Sequence, residues 1–72
     1  MNEEKYESIL KFHEESLRRK ENLVKPLHEK RHKAFVSNEN LSNQEYCSML
    51  VLEAEIQQEK EFIEDLKYIM EE

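Results

Sequence analysis

The sequence contains no glycine, no tryptophan, one proline and one cysteine in 72 residues. Glycine and proline are the usual punctuation of turns, so a chain without them has little loop. The lone cysteine, Cys47, excludes an intrachain disulfide. A Gly-rich phosphate loop cannot be built without glycine. No apolar run is long enough to span a bilayer. The charged N-terminus lacks the apolar stretch of a secretory signal. The expectation is a cytoplasmic protein in a reducing compartment, with no membrane partner. No Ser/His/Asp or Cys/His constellation is visible, so nucleophilic catalysis is not expected, and the chain is read as a non-enzyme with no cofactor.

Charge is what the sequence has in abundance. The net formal charge is −6, but its distribution is uneven. Arg18 to Lys33 holds seven Lys/Arg against Glu21 and Glu29. Asn43 to Glu72 holds nine Asp/Glu against Lys60 and Lys67. Two halves folded back on each other would cancel much of this asymmetry. The acidic balance disfavours sequence-independent nucleic-acid binding, which needs a net basic footprint.

Two long heptad runs surround one Asn/Ser-rich break, Ser37 to Asn43. Helix one is predicted from about Asn2 or Glu3 to Phe35. Glu3, Glu4 and Glu7 suit the positive end of its macrodipole, and Lys30, Arg31 and Lys33 the other end. Pro26 removes one backbone donor and crowds the carbonyl of Asn22. The apolar phase of Tyr6, Leu10, Leu17, Val24, Leu27 and Ala34 continues through it. A kink near Pro26 is therefore expected, with helix resuming through His28 and His32. The turn is placed at 37–42. Ser42-Asn43-Gln44-Glu45 reads as a capping box. Helix two is predicted over 43–70, with Met49, Leu52, Ile56, Glu59, Ile63, Leu66 and Met70 spaced alternately three and four.

A short break forces the helices antiparallel. The fold class is therefore all-α: one domain over 1–72, a coiled-coil-like two-helix hairpin. In a hairpin turning near Asn40, residue i should face residue 80 − i. Apolar then meets apolar at nearly every level, and Lys20 meets Glu59 or Lys60. Lys20 and Glu59 are read as a register pair, since polar seam residues fix alignment. His13 falls on the seam opposite Lys67 or Leu66.

The seam leaves apolar residues over. Ile9, Phe12 and Leu23, with Leu27 at the edge, flank it on helix one. Val51, Phe62 and Ile69, with Leu66 at the edge, flank it on helix two. Both groups fall on the same broad face. Contiguous apolar patches mark interfaces, so a homodimer forming a four-helix bundle is expected, with a partner protein of unknown identity as a compatible use.

His28-Glu29-Lys30-Arg31-His32 matches the H-E-x-x-H spacing of zinc proteases. There, two histidines one turn apart hold zinc and the glutamate activates a water. In proteases resembling this arrangement a third ligand glutamate follows on a later helix, and the facing rule sets Glu53 level with His28. Against this, Lys30 and Arg31 make the motif polar, Pro26 lies two residues upstream, and the chain has too little mass for a cleft. The expectation is no metal, with His28, His32 and Glu53 as the candidates should one bind. Cys47 points away from the seam. The basic residues of helix one point in several directions instead of forming a stripe. The functional reading is an interaction module: an adaptor, inhibitor or regulator presenting a helical surface. Its glycine-free, Lys/Glu/Asn-rich composition resembles that of bacterial or phage accessory proteins. The alternatives are a nucleic-acid-associated protein using the basic half of helix one, and a metal-binding hairpin using His28 and His32.

Overall fold

The computed structural model describes residues 3–71. It contains two helices, α1 (Glu3–Val36) and α2 (Asn43–Glu71), packed against each other as a hairpin 53 Å long and 18 by 16 Å across. Both boundaries lie within a residue or so of the predicted ones; a start at Asn2 falls outside the described residues. None of the described residues forms a strand. No helix among them is long and apolar enough to cross a membrane. α1 runs uninterrupted through Pro26, which is exposed.

The turn is built without glycine by two devices. At the end of α1, Asn38 adopts a left-handed backbone, φ 58°. The Glu39 N–H then reaches back to the Ala34 carbonyl at 2.7 Å, and the Asn38 N–H to Phe35 at 3.2 Å. These are the paired bonds of a Schellman cap, with asparagine in the position glycine usually takes. Asparagine is among the few residues that tolerate this region. At the start of α2, the Glu45 N–H donates to Ser42 Oγ at 3.2 Å. The Ser42 N–H and hydroxyl donate to Glu45 Oε1 at 3.3 and 2.9 Å. The capping box is thus closed in both directions.

Heptad positions decide what is covered. The buried apolar residues are Val24, Met49, Ile63 and Leu66. Leu10, Leu17, Leu27, Ala34, Leu52, Ile56 and Met70 are half-buried along the same seam. Leu66, which the spacing places both on the seam and at the edge of the flanking face, is only 8% exposed and fills the hairpin's own core. Its position, three residues after Ile63 in the three-four alternation, places it on the seam. Among the described residues, eleven large apolar side chains stay exposed against four buried ones. For a chain this small, that is a thin core.

Candidate functional site

Two features adjoin each other, one in the seam and one on a broad side of the hairpin. The first is a polar layer inside the seam, centred on Glu59. This is the one charged residue buried among the described residues. Its Oε2 lies 3.0 Å from His13 Nδ1, and its Oε1 3.7 Å from Lys20 Nζ. The Ser16 hydroxyl also hydrogen-bonds the carboxylate. Residues 13, 16 and 20 are spaced three and four apart, so they form one stripe on α1. The Ser16 hydrogen bond, helped by His13 and the Lys20 charge, holds the Glu59 carboxyl below its ordinary value against the opposing effect of burial. An ionised carboxylate accepts only, so His13 donates from Nδ1. Among the described residues, no buried side-chain nitrogen or oxygen lacks a partner.

The register pair expected from the sequence, Lys20 and Glu59, is thus brought together. His13 lies elsewhere than expected. It bonds Glu59 instead of facing Lys67 or Leu66. Facing rules give each residue one partner, whereas a carboxylate has two oxygens and reaches three α1 side chains. Sequence reasoning missed Ser16 altogether; its signal is its three-and-four spacing from His13 and Lys20.

The second feature grows from the first. The His13 ring lies 5.3 Å from Phe12, edge-on, and 4.3 Å from Phe62, tilted. His13 therefore joins an α1 aromatic to an α2 aromatic on one side of the hairpin. Phe12 is 62% exposed and Phe62 44%. Ile9, Leu23, Val51 and Ile69 are likewise exposed. Leu27, assigned to this group from sequence, is half-buried at the seam edge. The result is an apolar strip with a histidine at its centre.

The opposite side is ionic. His28 Nε2 lies 2.7 Å from Glu53 Oε1, with both side chains substantially exposed. Glu21, Lys25 and Lys60 border the same shallow hollow. His32 is not drawn into the His28–Glu53 pair: no group of three His, Cys, Asp or Glu among the described residues could hold a metal ion. The H-E-x-x-H spacing thus yields one histidine–carboxylate pair and no three-ligand set. Cys47 is exposed.

The basic half of α1 is partly engaged near the turn. Lys30 Nζ bonds Glu45 Oε2, and the Arg31 guanidinium lies 5.7 Å from the Tyr46 ring centre. The Lys30 bond, followed by those from Ser42, lowers the Glu45 pKa from its ordinary value. Glu45 thereby ties the α2 cap to α1.

No family model, curated protein or solved structure matches the chain.

Proposed function

We propose that the protein is a small non-enzymatic interaction module, working in the cytoplasm, whose apolar strip is its recognition surface and whose first occupant is a second copy of itself. The observation that carries this reading is the strip around Phe12 and Phe62. Both aromatics are anchored to the core through His13 yet stay open to solvent. Anchored aromatics are preferred interface residues, because little side-chain freedom is lost when they are covered. A side 53 by 18 Å can supply the roughly 800 Å² per partner that a stable interface buries. Packing two hairpins by these strips would make a four-helix bundle. A regulator or adaptor role follows naturally, since the bundle would leave its ionic sides free for another protein.

Sedimentation equilibrium of the full chain at micromolar concentration tests this. The expected mass is twice that of the 8.8 kDa chain. Phe62→Lys should return it to the monomer, while Tyr68→Lys, which lies on the outer surface by heptad position, should not. A monomer at every concentration would remove self-association.

A further inference from the structure

The strip is not electrically uniform, and this selects one way of pairing it. By heptad position, its α1 edge carries Lys5, Arg19 and Lys33. Its α2 edge carries Glu55 and Asp65. Arg19 and Asp65 are exposed and Glu55 is half-buried. Among the described residues, none of these three has an ion pair within the chain. One edge of the apolar strip is therefore basic and the other acidic.

Two hairpins can be packed strip to strip with twofold symmetry in two ways. If the axis runs along the hairpin, both turns lie at the same end, and each α1 packs on the partner's α2. If the axis crosses the hairpin, the turns lie at opposite ends, and α1 packs on α1 and α2 on α2. Every neighbouring helix pair is antiparallel in both, so helix dipoles do not discriminate. Charge does. Opposite ends would set basic edge on basic edge and acidic on acidic. The same-end arrangement sets basic on acidic along both seams.

Building on the self-association proposed above, the geometry points to a same-end dimer: a second copy of this chain covers the strip, with α1 of each protomer against α2 of the other and both turns at one end. An axis along the hairpin keeps every residue at its own axial level, so the register is fixed by symmetry. The Glu59 contacts show that residues 13 to 20 are level with Glu59. Arg19 of one protomer then lies within one helical turn of Glu55 in the other. Phe12 faces Phe62 of the other copy, and Leu23 faces Val51, so apolar meets apolar along the same line. Like charges across an interface oppose association and opposite ones select the partner. The assembled bundle would have one end bearing both turns, with Arg31 and Tyr46 of each protomer side by side, and one end bearing all four termini.

Spin labels at Asn40, introduced as Asn40→Cys with Cys47→Ser, test the arrangement by pulsed dipolar distance measurement on the full chain. Helix axes in a bundle lie about 8–10 Å apart, so same-end turns should give a distance of roughly 20–25 Å. Opposite-end turns should approach the 53 Å length of the hairpin. A long distance in a sample that sediments as a dimer overturns the arrangement and leaves self-association standing. A monomer with no dipolar signal overturns both. Charge reversal gives an independent reading that needs no label. Arg19→Glu should weaken the same-end dimer by roughly tenfold, and adding Glu55→Lys should restore it. In the opposite-end arrangement Arg19→Glu relieves repulsion, so tighter association in that variant overturns the proposal.

Discussion

The two broad sides of the hairpin start from the same seam and end differently. On the ionic side, α1 and α2 meet through His28–Glu53, with Glu21 and Lys60 bordering the same hollow. Polar partners there meet within the chain. On the apolar side, α1 offers Ile9, Phe12 and Leu23, and α2 offers Val51, Phe62 and Ile69, all open to solvent. One side is satisfied alone and the other is not. Between them, Glu59 gathers His13, Ser16 and Lys20, and His13 passes from that buried carboxylate to the exposed aromatics. The difference teaches where the fold holds itself and where it waits for another surface. A change on the ionic side should alter little. A change in the seam should alter folding, and one on the strip should alter association.

The largest effect separates seam from strip with the same chemistry at both. Ile63 is 7% exposed and Ile69 58%. Ile63→Ala should cost about 2–5 kcal/mol, from lost transfer energy and the cavity left behind. Ile69→Ala should change the stability of the dilute monomer by less than about 0.5 kcal/mol. Urea denaturation at low concentration measures both. Equal losses would mean that the strip is already covered within the monomer, and would break the comparison.

Much of this contrast was legible in the sequence. The three-four spacing named the seam, and the leftover apolar residues named the strip. The Ser42 cap was readable because its partner, Glu45, lies three residues on. Leu66 stood on both lists because it sits where seam and strip adjoin, and angular position alone does not say which way an edge residue leans. Asn38 escaped notice because an αL cap is normally signalled by glycine, and the chain has none. The cluster around Glu59 was only half visible. A charged pair stands out in an apolar seam, whereas a serine such as Ser16 passes for surface until its spacing from His13 and Lys20 is counted.

The next effect has the opposite sign. Pro26 lies inside α1 and by heptad position at the rim of the strip. Its missing donor leaves the Asn22 carbonyl without its helical partner, and an interior proline costs about 3 kcal/mol relative to alanine. Pro26→Ala should raise the melting temperature of the monomer. If α1 bends there to shape the strip, the same change should loosen the dimer. Stability and association would then move in opposite directions, which calorimetry and sedimentation can separate. Tighter association alongside higher stability would show that the proline plays no part in the strip.

A smaller effect depends on pH and isolates the polar layer. The Glu59 carboxyl is held below its ordinary value, chiefly by the Ser16 hydrogen bond. A carboxylate with a lowered folded pKa stabilises the fold at pH above its unfolded value. That contribution is lost as pH falls through the folded one. The Glu45 carboxyl, lowered by Lys30 and Ser42, acts in the same direction. The urea midpoint should therefore fall as the buffer is taken from pH 6 to pH 3. Glu59→Gln should flatten part of that decline and Glu45→Gln another part. A midpoint that holds steady to pH 3 would mean that the carboxylates gain nothing on folding.

The smallest effect is expected on the ionic side. His28 and Glu53 are close, but about half of each side chain remains in water. Exposed ion pairs contribute about 0–1 kcal/mol, because solvent screens the charges and ordering two long side chains offsets the gain. His28→Ala should therefore shift stability by no more than about 0.5 kcal/mol, far less than Ile63→Ala. The same substitution examines the zinc-like spacing. A metal held by His28 and Glu53 alone would lack the third protein ligand that stable zinc sites use, and His32 is not drawn into that pair. Added zinc should leave the melting temperature where it was, for the parent chain and for His28→Ala alike, since binding only to the folded state would raise it. A zinc-dependent rise that disappears in both His28→Ala and His32→Ala would show that the helix turns its two histidines onto one ion. The ionic side would then be a second recognition surface, no longer the quiet half of the molecule.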